Sequence, residues 1–193
     1  MGRRKKNSKR KIMIIGAGGI GSFLIPLLDK TGLYEITVFD PDTVETKNIT
    51  YQNFTEEDVE KFKVTVMDER YSDVTGEPYK VLTLKQVKGF QLVICCADNL
   101  AVRRTLYSSK DIEWLDLRAQ GRNGALISYL TDPKFSDMFL QGPEGSFSCQ
   151  GEQDEITPES VHFTHVAVAG MAAQWIQRWF NGEEVKDKMV INI

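Results

Sequence analysis

The stretch IIGAGGIGS, Ile14 to Ser22, constrains the fold more than any other part of the chain. It sets Gly16, Gly18 and Gly21 in a Gly-x-Gly-x-x-Gly spacing between an apolar run and a helical pattern. KIMII before it has the character of a short buried strand, and Ile20, Phe23, Leu24, Leu27 and Leu28 recur at the spacing of a helix face. Strand, glycine turn and helix in that order let backbone N–H groups and a helix N-terminus meet phosphate oxygens. EITVFD then ends in Asp40, nineteen positions after Gly21, where a carboxylate can accept hydrogen bonds from a ribose. A tight turn that binds nothing is the alternative. Pro26 inside the helical pattern predicts a kink or an early end there.

A chain of 193 residues suits one domain with a substantial core. Charged residues at 26% and hydrophobic ones at 41% are ordinary for a globular protein. No apolar run approaches the roughly 20 residues needed to span a bilayer, and no signal-peptide pattern is present, so the expectation is a cytoplasmic protein without a membrane partner. The three cysteines are odd in number and include no Cys-x-x-Cys pair, so neither a disulfide framework nor a structural zinc site is expected. The first eleven residues hold seven Lys or Arg, which leaves the rest with 17 basic against 27 acidic residues, a net charge of about −10. Residues 1–10 are expected to be a basic disordered tail and 11–193 a single nucleotide-binding domain. Nucleic acid, if bound at all, is expected to contact only that tail, for which a solvated arm is the plainer reading.

Further along, Thr55 and Asp58 resemble a capping box, and Val59, Phe62, Val66 and Met67 recur at helical spacing, which predicts a helix from Glu56 to Arg70. PYKVLTL predicts a third strand and GFQLVICCADN a fourth, followed by a short helix in LAVRRTLYSSK. WLDLR and GALISYL, split by QGRNG, predict a hairpin at one side of the sheet. The polar stretch from Thr131 to Ser160 predicts a long loop, VHFTHVAVAGMAAQWIQRWFNG a last helix ending at Gly182, and KMVINI a final strand. The alternation predicts an α/β fold: a Rossmann-like, doubly wound, mostly parallel sheet with a C-terminal antiparallel extension.

In such a sheet the ligand lies across the carboxyl ends of the strands, facing the glycine turn, Asp40 with Asp42, and Asp98 with Asn99. A carboxylate at Asp98 beside a pyrophosphate costs several kcal/mol of like-charge repulsion unless a cation bridges them. Mg²⁺ bridges carboxylates and phosphates in this way, which tilts the reading from NAD to ATP. Lys63, Asn48 and Gln52 add a cation and amide donors for phosphate oxygens. An NAD-dependent oxidoreductase stays as a third reading, though no second half of the chain is placed to hold a nicotinamide.

The run TVFDPDTVETKNITYQ, with Asp40, Asp42, Asn48 and Gln52, followed by Lys63 and CCADNLAVRR, resembles the ThiF/MoeB/HesA adenylyltransferases, the superfamily that includes ubiquitin-activating enzymes. The resemblance runs from about Lys11 to Gly182. It implies ATP- and Mg²⁺-dependent adenylation of a carboxylate, usually the C-terminus of a ubiquitin-like or sulfur-carrier protein or peptide, by a homodimer. It implies that Gly16, Gly18, Gly19 and Gly21 form the nucleotide turn, that Asp40 holds the ribose, and that Asn48 and Lys63 contact the phosphates. It also implies Mg²⁺ coordination by Asp98, with Asp42, Gln52, Asn99 and Arg103 contributing to the nucleotide site.

The chain departs from the pattern at Tyr51, where relatives carry an arginine before the glutamine, and at Cys95, where many carry an aspartate. Replacing a bidentate, permanently charged donor by a phenol is not conservative. Arg103, Arg104 or the basic tail are the candidates to replace it; otherwise the chain is a non-catalytic partner subunit with a degenerate ATP site. Ser146 and Cys149 fall where a zinc pair of some relatives stands. Cys149 is a speculative acyl-accepting thiol, set among Glu152, Asp154 and Glu155, whose charges would raise a thiol pKa. Cys95 and Cys96 have the setting of core residues. His162 and His165 lack a nearby third metal ligand, and Trp175, Trp179 and Phe180 suit a core or an oligomer contact.

Overall fold

A strand buried on both faces needs apolar side chains at consecutive positions, and the opening strand has them: Ile12 and Ile14 enter one core, Met13 and Ile15 another. In the computed structural model, which describes residues 8–141, 149–151 and 156–193, this strand is central. Strands β1 (Arg10–Ile15), β2 (Tyr34–Phe39), β3 (Val74–Glu77), β4 (Leu92–Cys95), β5 (Trp114–Gln120), β6 (Asn123–Ser128) and β7 (Lys188–Asn192) form one sheet in the order β3-β2-β1-β4-β5-β6-β7. The first five are parallel neighbours, and β5, β6 and β7 run antiparallel. The doubly wound sheet with an antiparallel extension is therefore as expected. The chain winds outward from β1 to β3 and returns on the other side at β4, so the crevice of the switch point opens beyond Ile15 and Cys95.

The helices are α1 (Gly21–Asp29), α2 (Lys63–Arg70), α3 (Leu100–Tyr107), α4 (Pro133–Phe139) and α5 (Thr164–Phe180). Leu24 and Leu28 of α1, Val64 and Met67 of α2, and Val168 and Trp175 of α5 share a core with Ile12, Ile94 and Leu117. Leu106 of α3 packs on the opposite face with Met13, Val93 and Trp114, helped by Val81 and Val87. The aromatic pattern near the C-terminus is core: Trp175 stacks with Trp179 and donates its indole N–H to the carbonyl of Lys186 at 2.8 Å. Pro26 sits in the last turn of α1, which stops three residues later. No helix of the described residues is long and apolar enough to cross a membrane.

Several local expectations are corrected. The helix predicted over Glu56 to Arg70 is two elements. The Thr55/Asp58 capping box is real, but it caps a single 3₁₀ turn at Glu56–Asp58. Glu60 then takes a φ of +73° and Phe62 bridges Thr43, so α2 begins only at Lys63. Two helical turns separated by a left-handed residue share one hydrophobic period, which is why they look continuous. PYKVLTL is not a strand; Tyr79 and Leu82 are exposed, and the third strand lies upstream in VTGE. That strand carries a single buried apolar side chain, Val74, and its Gly76 is required where the carbonyl of Val64 comes too close for a Cβ. In α1, Leu27 is 44% exposed and Ile25 is buried in its place. The stretch expected to be all loop contains α4, opened by Asp132, whose carboxylate accepts from the N–H of Lys134 at 2.8 Å, and by Pro133. β1 begins at Arg10, one residue before the expected boundary, and Arg10 lies over the ring of Phe180. Residues 1–7 of the basic tail lie outside the described residues, as do Ser146, Glu152, Asp154 and Glu155.

Candidate functional site

The glycine turn is shaped by backbone crowding. Gly16 has a φ of +99°, and a Cβ there would meet the amide of Ala97 at 2.9 Å; a Cβ at Gly21 would run into the carbonyl of Gly16. These two glycines let the end of β1, the loop after β4 and the start of α1 touch. Gly18 instead faces open space, with nothing nearer than the Gln52 amide at 3.9 Å. Gly19 is covered by Cys149, whose Sγ lies 2.5 Å from where a Cβ would stand.

At the end of β2, Asp40 is buried and accepts from the N–H of Ala17 at 2.7 Å and of Asp42 at 2.9 Å, so it ties the glycine turn to the next loop. Burial pushes its carboxyl up from the usual range, against the pull of Lys63 and of the two amide donors. Lys63, the first residue of α2, is buried with its Nζ 3.5 Å from Asp42. Asn48 is buried on a one-turn helix, where its Oδ1 accepts from the N–H of Glu45 at 2.9 Å and its Nδ2 reaches the Tyr51 hydroxyl at 3.5 Å. Gln52, also buried, has an amide oxygen with no hydrogen-bond partner. After β4, Asp98 and Asn99 are exposed, and Asn99 caps α3 through the N–H of Ala101 at 2.7 Å.

The glycine turn, Asp40, Asp42, Gln52, Lys63, Asp98 and Asn99 line one cavity of about 950 Å³, which also takes in Tyr51, Arg103 and Cys149. Asn48 stands behind Tyr51 rather than on the wall. Burial pushes the Cys149 thiol up to about 11, with Asp98 adding to the rise and Lys63 opposing it. At neutral pH this is a thiol, not a thiolate. Cys95 is likewise pushed up to about 11 by burial in β4.

Two departures from the family pattern have structural partners. Tyr51 is held from below by His165, whose ring Nε2 donates to the Tyr51 carbonyl at 2.7 Å. Gln150 lies 3.3 Å from the other ring nitrogen and is pinned by both backbone polar groups of His162. The histidines therefore brace the site, and no group of three metal-binding side chains occurs among the described residues. Burial lowers the His165 pKa, keeping the ring neutral. Arg103 is held at 3.0 Å by Asp116, which is fully buried in β5 and also takes Arg118 at 2.8 Å and the hydroxyl of Tyr107 at 2.6 Å. Arg103 also contacts the thiol of Cys95. Cys95 leaves no carboxylate in β4 for this arginine, and β5 supplies one. The pattern of WLDLR predicts only a strand; the further signal it holds is a pair of charged residues at alternate positions in an otherwise apolar run. Arg104 points elsewhere, toward the carbonyl of Leu140 at 3.5 Å.

The model of the ThiF family matches residues 2–192. A protein of Lodderomyces elongisporus named adenylyltransferase and sulfurtransferase UBA4 is 25% identical over 182 residues, covering 86% of this chain and 40% of its own. The NEDD8-activating enzyme E1 catalytic subunit of Schizosaccharomyces pombe is 31% identical over 108 residues, 51% of this chain and 24% of its own. The chain thus spans less than half the length of these curated relatives. Among solved structures, MccB of E. coli superposes with a TM-score of 0.69 at 17% identity, covering 95% of this chain and 59% of its own, a likeness of fold. With the switch-point site and the family match in agreement, the chain belongs to the ThiF family.

Proposed function

We propose that this chain is an ATP-dependent adenylyltransferase that activates a carboxylate, the C-terminus of a ubiquitin-like or sulfur-carrier protein or peptide, with Mg²⁺ bound through the nucleotide at Asp98. The observation that carries the reading is the convergence, on one cavity, of an open glycine face at Gly18, the ribose-type carboxylate Asp40, the cation Lys63 and the exposed Asp98. The orphaned, buried amide oxygen of Gln52 beside Gly18 is an acceptor that a nucleotide N–H or O–H would satisfy. The names of the relatives, an adenylyltransferase and a NEDD8-activating enzyme, support the same reading.

In this reaction a substrate carboxylate oxygen bonds to the α-phosphorus while the bond to the β-phosphate oxygen breaks and pyrophosphate leaves. The protein forms no covalent bond in this step. Gly16 to Gly21 and Asp40 align the nucleotide, Lys63 offsets developing charge, and Asn48 supports the wall from behind through the Tyr51 hydroxyl. The Mg²⁺, when bound, neutralises phosphate charge at Asp98. Cys149, neutral and packed on Gly19, is proposed as a wall of the site before it is an acyl acceptor. Exchange of labelled pyrophosphate into ATP, run with candidate carrier proteins, tests the reading; a protein that gives no exchange and binds no ATP·Mg²⁺ overturns it.

Tyr51 favours a second reading, a partner subunit of the same fold without adenylation chemistry. Tyr51 lines the cavity at the position where the family resemblance implies an arginine. Tyr51→Arg separates the two. If the site is degenerate, exchange rises by roughly tenfold or more, consistent with the worth of one charge-assisted contact; if tyrosine serves this chain's own chemistry, exchange falls.

A further inference from the structure

A buried histidine backs the glycine turn. His165, the second residue of α5, is 1% exposed, and its Cβ lies 3.8 Å from where a Cβ of Gly19 would stand. Its ring is thus behind the wall that Gly19 and Tyr51 present to the cavity, with the Phe23 ring of α1 at 5.5 Å and the Tyr51 ring edge-on at 6.3 Å. The other titratable side chains on the elements packed around it are Tyr51, Cys149 and His162. Burial lowers the His165 pKa against the pull of two backbone carbonyls, those of Tyr51 and His162, and no charged side chain among the described residues acts on it.

The two carbonyls suit an imidazolium. Nε2–H already donates to Tyr51 at 2.7 Å, and Nδ1, which accepts from Gln150 at 3.3 Å in the neutral ring, has the His162 carbonyl as an acceptor for a second N–H. Gln150 keeps partners when that happens: its amide nitrogen also reaches the His162 carbonyl at 3.0 Å and Cys149 Sγ at 3.8 Å, and a carbonyl oxygen takes two donors. Desolvation is therefore what holds the ring neutral, and a nearby anion opposes desolvation. Three cations of the cavity wall are already ion-paired, Lys63 with Asp42 and both Arg103 and Arg118 with Asp116. An anion at the glycine turn gains from a new positive charge behind it, and the coupling is reciprocal: the anion strengthens proton binding by as much as the proton strengthens anion binding.

We propose that His165 is a proton-responsive charge behind the phosphate turn: neutral in the empty site, it takes a proton from solvent at Nδ1 when ATP·Mg²⁺ is bound, so that nucleotide affinity rises as pH falls. The gain begins below the pKa of the occupied site and is complete below that of the empty one. This rests on the adenylation reading and adds a pH control to the same site.

The chain has two histidines, so NMR of the histidine ring protons, assigned with His162→Gln, follows His165 directly in the wild type. The expected result is that a nonhydrolysable ATP analogue with Mg²⁺ moves the His165 titration to higher pH, and that adenosine, which has no phosphate, leaves it in place. The second readout is the affinity of wild type and His165→Gln for the same analogue at about pH 8 and about pH 6. The ratio of variant to wild-type Kd should grow by about threefold or more between the two, the ligand's own titration cancelling in the ratio. A merely structural His165 gives a ratio that is the same at both pH values, with a lower melting temperature for the variant, and that result overturns the proposal. A titration that the analogue leaves in place or moves to lower pH, or that adenosine moves equally, overturns it too, and this readout needs no folded His165→Gln. A wild type that binds no nucleotide at either pH removes the adenylation reading itself, whereas binding without a shift of the titration sinks this proposal alone.

Discussion

The guanidinium of Arg103 and the carboxylate of Asp116 meet at 3.0 Å between α3 and β5, with Asp116 fully buried and shared with Arg118. Removing one partner of a buried, hydrogen-bonded pair leaves the other charge uncompensated and costs about 3–5 kcal/mol. Asp116→Ala is therefore expected to lower unfolding stability by that amount, measured by urea denaturation. Cys95→Asp, which restores the family carboxylate in β4, is expected to recover part of the loss in the Asp116→Ala background and to be destabilising alone.

Gly19 and Gly21 are expected to differ in how they fail. A Cβ at Gly19 meets the Cys149 side chain, whereas one at Gly21 meets the backbone carbonyl of Gly16. Gly19→Ala should be partly rescued by Cys149→Ala in melting temperature and in ATP affinity, because the smaller side chain makes room. Gly21→Ala should gain nothing from the same second change.

His165 predicts an acid-sensitive site. Burial lowers its pKa below the unfolded value of about 6.5, so the unfolded chain takes up a proton first as pH falls. The contribution of the neutral ring is complete above that value and is lost as pH drops toward the folded pKa. Urea titrations at about pH 7.5 and about pH 5.5, on either side of the unfolded value, should show wild type losing more stability on acidification than His165→Gln, whose amide can still donate to the Tyr51 carbonyl.

The elements legible in the sequence were those whose pattern is local and strong. β1 with its glycine turn, β2 ending at Asp40, the β5 and β6 hairpin, and α5 carry apolar periodicity or turn chemistry on their faces. What was not legible depends on neighbours distant in sequence. β3 is a strand because β2 pairs with it, not because VTGE has a strand pattern. The break at Glu60 follows from a bridge between Thr43 and Phe62 that no window contains. α4 has a visible Asp-Pro start, but the surrounding Gly, Ser and Pro outweigh it. The residues of the family motifs converge on one cavity, except that Asn48 stands one layer behind and Asn99 is engaged as a helix cap. The Asp116 cluster shows in the sequence only as the alternating Asp116 and Arg118 of an otherwise apolar run, and that pair gains meaning only when Arg103 of α3 is packed over it.

Gly18 gives the sharpest measurement of whether this cavity holds ATP·Mg²⁺. A Cβ there meets nothing nearer than the Gln52 amide at 3.9 Å, and a larger side chain built on it would stand in the open space of the cavity. Equilibrium binding of ATP with Mg²⁺ to wild type and to Gly18→Leu, with melting curves for both, is the measurement. Wild type is expected to bind, Gly18→Leu to melt within a few degrees of it, and the variant's affinity for ATP to fall by roughly tenfold or more. A wild type without ATP affinity, or a folded Gly18→Leu that binds ATP as wild type does, would show that the cavity is not a nucleotide site.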